Sequence, residues 1–147
     1  MTQKKFLLLF VSVIAVIAAG FMYYSYNRTG VNIEKAGAEK VTASALYQAF
    51  SQDTTAAKTR YLDKILEVSG TGTRSTVNQQ GQTVVLMETG FGGAAINCTL
   101  EGKPDTISQG QHIMLKGICK GLGDGDAELG IAADVYLVRC YVMQNNY

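Results

Sequence analysis

The sequence predicts a mainly β domain, a small barrel that follows an α-helix and an N-terminal transmembrane helix. Three observations support this prediction. Short runs rich in Val, Ile and Thr alternate with turns, and the chain has 16 glycines but one proline, a composition typical of strands joined by tight turns. Residues 43–61 show helical rather than alternating spacing of apolar side chains,. The beginning of the chain holds a long uncharged apolar run.

Residues 1–27 are predicted to be a membrane anchor. The run from residue 6 to residue 22 carries no charge and approaches the ~20 residues that a helix needs to span a bilayer. Tyrosines follow within residues 23–26, and such aromatic residues belong to the membrane interface. The alternative is a cleaved signal peptide that ends near residues 18–20, Ala-Ala-Gly,. The anchor is the preferred interpretation because a signal peptide has no need of the tyrosines.

The positive charges predict the orientation of this anchor. Lys4 and Lys5 precede the apolar run and outweigh Arg28 behind it, so the N-terminus is expected to stay in the cytoplasm. We therefore expect a single-pass protein of the bacterial inner membrane with a periplasmic C-terminal domain. Residues 28–40 are polar and mixed in charge and are predicted to be a stalk. The folded domain is predicted to cover residues 41–147.

Two short helices are predicted to precede the strands. Thr42 is a suitable N-cap for a helix over residues 43–52, whose Leu46 and Phe50 fall on one apolar stripe,. Asp53 is placed to cap a second helix that ends near residue 62,. We expect these helices to cover one mouth of the barrel.

Five strands are predicted next, and their arrangement indicates an OB-fold barrel. The first contains Gly70 and Gly72, and glycines inside a strand often mark a bend that lets it serve both sides of a barrel. A long connection, residues 101–111, separates the third strand from the fourth. A coiled first strand and a long third connection are typical of the OB-fold. The predicted strands cover residues 64–77, 83–88 and 94–100, with the last two inside residues 110–142.

The same segments resemble the tRNA_anti-like family of OB-fold proteins, in its membrane-anchored bacterial type. The resemblance is carried by LYQAF, Ala57, Tyr61, Lys64, ILEVSG, INCTL, HIMLKGICKG and DVYLVRC. It covers residues 41–142 and implies an OB-fold behind an N-terminal membrane segment and a polar stalk. It says little about activity, because one fold carries many functions.

Charge and aromatic content disfavour nucleic-acid binding. Without Lys4 and Lys5 the 13 basic residues become 11, against 12 acidic residues, so the domain has no basic excess for phosphates. OB-folds that bind single strands stack bases on aromatic side chains of their second and third strands. Here those strands read TVVLME and AAINCTL, without an aromatic residue, and Phe91 lies in the turn between them.

The three cysteines lie one in each of the last three strands. Strand alternation predicts that Cys98, Cys119 and Cys140 all point into the barrel,. Because the last two strands form a hairpin, Cys119–Cys140 is a possible disulfide in an oxidising compartment; three buried thiols are the alternative. No metal site is predicted, since the chain lacks Cys-x-x-Cys and His112 is its single histidine,.

No catalytic pattern is found. The acids of residues 123–128 alternate as at the start of a calcium loop but lack its later ligands,, so a solvated loop is predicted. With one histidine and no Gly-x-Ser-x-Gly, we expect neither an enzyme nor a cofactor.

The sequence therefore predicts a non-catalytic, membrane-anchored binding or interaction module of the cell envelope. Its ligand is expected to be a protein, peptide or glycan, bound on the face of the first three strands. The candidate binding residues are Arg74, Met87, Phe91, Asn97 and Thr99. An oligonucleotide-binding protein and a structural envelope component without a ligand are the alternatives.

Overall fold

The computed structural model describes residues 3–27, 31–102, 107–126 and 128–143, with the backbone alone at residues 3–9 and 25–27. The chain divides into two compact units, Met1–Asn32 and Ile33–Tyr147. The first unit contains one helix, α1 (Gln3–Asn27). Over its described residues, the second contains two helices and six strands.

Helix α1 presents apolar side chains to solvent, with Phe10 exposed by 62 % and Phe21 by 71 %. Over the described residues, no helix is both long and apolar enough to cross a membrane. The apolar run that predicts the anchor begins at residue 6, and the side chains of residues 6–9 lie outside the described part. The anchor therefore stays a prediction.

The barrel unit begins earlier than the predicted boundary at residue 41. Ile33 is fully buried, and the ammonium of Lys116 donates to the carbonyl oxygen of Glu34 at 3.2 Å. Strand β1 (Glu39–Thr42) then pairs in parallel with the next strand, β2 (Ile65–Val77). Residues 33–40, expected in the stalk, thus belong to the folded unit. The burial of one isoleucine accounts for this difference, since it is worth roughly 1.5–3 kcal/mol.

Helices α2 (Ala43–Gln52) and α3 (Thr54–Tyr61) confirm the two predicted helices and their caps. The Thr42 hydroxyl accepts from the Ala45 amide at 3.2 Å, and the Asp53 carboxylate accepts from the Ala56 amide at 3.0 Å. Each bond satisfies an amide that has no partner inside its helix. The buried face of α2 carries Leu46 and Phe50 into the core of the barrel.

Five strands close into the barrel that the sequence predicts. After β2 come β3 (Thr83–Glu88), β4 (Ala95–Leu100), β5 (His112–Leu122) and β6 (Val135–Val142). Their order around the barrel is β2-β3-β4-β6-β5, and β5 closes it by pairing with β2. The pair β4–β6 is parallel and the other barrel pairs are antiparallel.

The long strand β2 serves both sides of the barrel. Its residues 65–71 pair with β5 and its residues 72–77 with β3, with a register shift between Gly72 and Arg74. Gly70 allows α2 to pack closely, because a Cβ there would lie 3.0 Å from the Ala43 Cβ and 3.1 Å from the Met87 Cε. The bend predicted at these glycines is confirmed.

All three cysteines are free and fully buried, in agreement with the predicted inward direction. The Cys119–Cys140 disulfide is not formed in this structure, because register shifts in β6 place Leu137 opposite Cys119 and bring Cys140 opposite Leu100. The pKa of Cys98 is raised well above its usual value, mainly by a hydrogen bond with Cys140 and secondly by burial. Burial also raises the pKa of Cys119. Cys98 and Cys119 are therefore poor nucleophiles.

Candidate functional site

The outward side chains of β3 and β4 form a continuous surface, which we call the β3–β4 face. Directly paired residues of neighbouring strands point to the same side of a sheet, so the registers define its members. They are Arg74, Thr76, Val84, Leu86, Glu88, Ala95, Asn97, Thr99 and Tyr136. Among these described residues, Arg74 and Glu88 carry the charges.

One row of this face crosses four strands. Arg74 is paired with Leu86, Leu86 with Asn97, and Asn97 with Tyr136. Because neighbouring strands are ~4.8 Å apart, the row is roughly 14 Å long. It presents a guanidinium group, an apolar side chain, an amide and a phenol in sequence. Such a row suits an extended ligand that has both polar groups and apolar surface.

Tyr136 is a member of the face that the sequence analysis missed. Its ring lies directly over Gly123, where a Cβ would collide with the ring. The Gly123 amide donates to the Asp134 carbonyl oxygen at 2.8 Å, and this bond holds Gly123 in position beneath the ring. Tyr136 is still 42 % exposed. The signal was present in the sequence, since Tyr136 lies between two apolar neighbours, Val135 and Leu137.

A glycine-rich turn between β3 and β4 holds Phe91 at one end of the face. Gly90 and Gly93 have positive φ values of 79° and 80°, which residues other than glycine rarely adopt. The Thr89 hydroxyl donates to the Ala94 carbonyl oxygen at 2.8 Å and accepts from the Phe91 amide at 3.2 Å. The Phe91 ring packs against Tyr47 of α2, with 5.3 Å between ring centroids. Phe91 is thus ordered and yet 43 % exposed.

Two clefts meet at the end of β3. The Phe91 cleft, of about 380 Å³, lies between this turn and the β3–β4 face. The His112 cleft, of about 300 Å³, lies where α2 begins beside β2 and β5. Glu88 and Gly90 line both clefts. Together they form a groove, and we use that word for the two clefts only.

The predicted binding residues do not all reach the same surface. Arg74, Asn97 and Thr99 lie on the β3–β4 face, and Phe91 lies at its end. Met87 is not part of the β3–β4 face, because it is fully buried and its sulfur contacts the Cys98 sulfur inside the barrel at 3.8 Å. It is therefore not a candidate binding residue.

The loop that carries Asp124, Asp126 and Glu128 has a structural role. The Asp126 carboxylate accepts from the backbone amides of Glu128 and Leu129, both at 3.0 Å, and Asp126 forms an antiparallel bridge with Ile131. Within residues 3–27, 31–102, 107–126 and 128–143, no group of His, Cys, Asp or Glu is arranged to hold a metal ion.

The closed five-strand barrel with its preceding helix places the chain among OB-fold proteins. The model of the tRNA_anti-like family matches residues 1–129, which is most of the chain. The protein belongs to this family, and its fold is of the oligonucleotide-binding type. A search of curated proteins finds no match to the chain.

Proposed function

We propose that the protein is a non-catalytic binding module, tethered to a membrane, that holds an extended peptide or glycan of the cell envelope on its β3–β4 face. The row from Arg74 to Tyr136 is the single observation that carries this proposal. It combines an exposed aromatic ring with amide and guanidinium groups on rigid strands, and such preorganised polar and aromatic groups are typical of binding sites.

The tether is the second part of the proposal. It is supported by α1, which has no charged residue between Phe10 and Tyr24. Lys4 and Lys5 precede the apolar run, and positive residues favour the cytoplasmic side. The bacterial inner membrane, with the barrel in the periplasm, is therefore the proposed location.

A topology experiment tests the tether. Alkaline phosphatase fused behind Tyr147 is active only after export, whereas green fluorescent protein at the same position is fluorescent only in the cytoplasm. We expect an active phosphatase and a dark fluorescent fusion in bacterial membranes. The opposite pattern would contradict the proposed orientation. Recovery of both fusions in the soluble fraction would contradict the tether.

Photocrosslinking in intact cells tests the binding face. A photoreactive amino acid replaces Tyr136 in the full chain, and in a matched control it replaces Lys58, an exposed residue of α3. We expect an adduct with a peptide or glycan component at position 136 and none at position 58. Equal adducts at both positions, or none at either, would refute a specific face.

Oligonucleotide binding is the second candidate, and one observation favours it. Tyr136 provides a ring for base stacking and Arg74 a cation for phosphate in the same row, which are the groups that single strands require. The near balance of 13 basic and 12 acidic residues opposes it,. A gel-shift titration of the full chain with oligo-dT at low salt decides: no shift at micromolar protein removes this candidate.

A further inference from the structure

The groove at the end of β3 carries an inference about the class of ligand. Its Phe91 cleft and His112 cleft have volumes of about 380 and 300 Å³, at the lower end of the range of small-molecule sites. Both open to solvent on either side of Glu88, which is itself exposed. A chain ligand that fills one cleft therefore reaches the other by passing Glu88.

The charge of the groove argues against anionic ligands. Glu88 is the acidic side chain that lines both clefts, and neither lining contains Lys or Arg. A phosphate or carboxylate group in the groove would face the Glu88 carboxylate, and the other titratable side chain of the two linings is the imidazole of His112. Because like charges repel, an anionic group is disfavoured next to Glu88, whereas a neutral ligand is not.

The polar groups of the His112 cleft are available to a ligand. The hydroxyl of Ser44 donates to the Thr89 carbonyl oxygen at 2.6 Å, so it is already engaged. Within the part of the chain that the structure describes, the side chains of Thr71, Glu88 and His112 have no hydrogen-bond partner, and all three line this cleft. Thr71 and His112 are direct partners in the β2–β5 register. A hydroxyl, an imidazole and a carboxylate thus present donors and acceptors to one space.

The Phe91 cleft offers the complementary surface. The ring of Phe91 packs against Tyr47, and 43 % of the residue remains exposed. A fixed aromatic ring with an open side attracts the C–H groups of a flat, otherwise polar ligand. Aromatic stacking next to hydrogen-bonding side chains is the combination that fits a sugar ring.

A peptide strand fits the groove less well. β3 is paired on both sides, with β2 and β4, and β4 is paired with β3 and β6. The backbone of an added strand therefore finds no free edge here, and such pairing is a main source of affinity for extended peptides. A sugar chain needs no free edge.

We propose that the groove binds a neutral oligosaccharide, with one sugar ring on Phe91 and the next ring hydrogen-bonded to Glu88, Thr71 and His112. This inference rests on the proposed function of the β3–β4 face, of which Glu88 is a member. It extends that function to a second cleft beside α2 and names the ligand class.

The test uses the full chain in lipid nanodiscs, free of glycoside detergents. The probes are tetra-N-acetylchitotetraose, cellotetraose and maltotetraose, each titrated by calorimetry. His112 is the single histidine of the chain, so its imidazole carbon–proton resonance is a unique reporter of the second cleft. We expect at least one tetrasaccharide to shift this resonance saturably.

Two conservative variants and one control assign the binding to the groove. Glu88→Gln removes a charge without changing shape, and Phe91→Leu keeps an apolar contact with Tyr47 but removes the ring. Each is expected to raise the dissociation constant roughly tenfold, which is the loss of affinity expected when one strong contact is removed. Glu128→Gln, an exposed acid outside the groove, is the charge-matched control and should leave it unchanged.

Either of two results would overturn the inference. One is that none of the tetrasaccharides shifts the His112 resonance at millimolar concentration; the other is that binding is unaffected by Glu88→Gln and Phe91→Leu. The proposed function is judged separately by the crosslink at position 136. A peptide adduct there, with no sugar response, would retain the binding face and reject the oligosaccharide.

Discussion

Asn97 of β4 and Tyr136 of β6 are direct partners in the one parallel pair of the barrel, and their side chains point to the same outer surface. An amide and an aromatic ring that are far apart in sequence thereby become neighbours on rigid strands. Because both strands are paired on each side, the backbone that carries these two side chains is fixed at both edges. Preorganisation of this kind reduces the entropy cost of binding.

Removal of the Tyr136 ring is expected to weaken ligand capture. Tyr136→Ala should reduce the photocrosslink yield from a probe at Thr99 by about three- to tenfold, since an aromatic contact contributes about 0.5–1.5 kcal/mol beyond its area. Tyr136→Phe keeps the ring and should retain most of the yield. The yield is measured as labelled adduct per chain in intact cells. An unchanged yield in Tyr136→Ala would exclude the ring from binding.

Gly117→Ala is expected to destabilise the barrel. A Cβ at position 117 would collide with the Cys140 sulfur and lie 3.1 Å from the Val138 carbonyl oxygen. Such overpacking costs about 1–3 kcal/mol, measured by urea unfolding of the full chain. Gly92→Ala is the control, because no atom lies within 4 Å of a Cβ there. Equal stabilities for the two variants would show that β6 shifts freely.

Ile33→Ala tests whether the barrel unit begins at residue 33. Ile33 is fully buried, so the change should lower the free energy of unfolding by about 2–4 kcal/mol. Val31→Ala alters an apolar residue that is 55 % exposed and should change it by less than about 0.5 kcal/mol. If both variants changed the free energy of unfolding by less than about 0.5 kcal/mol, residue 33 would belong to the stalk and not to the barrel unit.

Glu101 is expected to make a small, pH-dependent contribution to stability. Partial burial alone would raise the pKa of its carboxyl, but hydrogen bonds from Arg139 and Tyr141 lower it on balance. A depressed pKa means that the contribution is present above the unfolded value of about 4.3 and is lost as the pH falls through the folded value. Since the side chain is 43 % exposed, at most about 1 kcal/mol is expected.

The measurement compares urea unfolding of the wild type and Glu101→Gln between pH 7 and pH 2.5. The two free energies should converge at the acidic end. Tyr141→Phe removes one donor to the carboxylate, at 2.9 Å, and should reduce the pH-dependent difference. If the difference in unfolding free energy between the wild type and Glu101→Gln were the same across this pH range, the charge of the Glu101 carboxylate would make no contribution to stability.

The thiols are expected to be protected in the folded protein. Because the pKa values of Cys98 and Cys119 are raised, alkylation by iodoacetamide at pH 8 should be roughly a hundredfold slower than in urea, limited by opening of the barrel. Without reductant, the unfolded chain should show all 3 thiols. A count of one thiol would demonstrate a disulfide that the structure does not contain.

Helix caps and strand limits could be predicted because they depend on local sequence. Thr42, Asp53 and the glycines of β2 act through their own backbone neighbours. Met87 was misplaced for a physical reason: residues 84–87 are all apolar, so alternation does not show which of them point inward. The structure resolves this, with Val85 and Met87 buried.

Long-range pairing explains the features that the sequence did not reveal. Arg139 adopts a positive φ of 53° at a register shift of β6, which breaks the alternation from which inward residues were predicted. The parallel partner of β1 lies beyond two helices, and β1 itself is a short segment, EKVT, with one apolar residue. Its sequence alone therefore does not indicate a strand. The burial of Lys116 beside Glu34 likewise depends on residues far apart in the chain.

The parallel pairing of β1 with β2 also determines how the barrel responds to mechanical load. A pull that arrives along the chain from its N-terminal side first meets buried Ile33 and the Lys116–Glu34 hydrogen bond. It then acts along the axis of β1, whose residues 39–42 are held side by side with residues 66–69. Under a pull along the axis of β1, the inter-strand bonds of this pair are therefore loaded together in shear rather than broken one at a time.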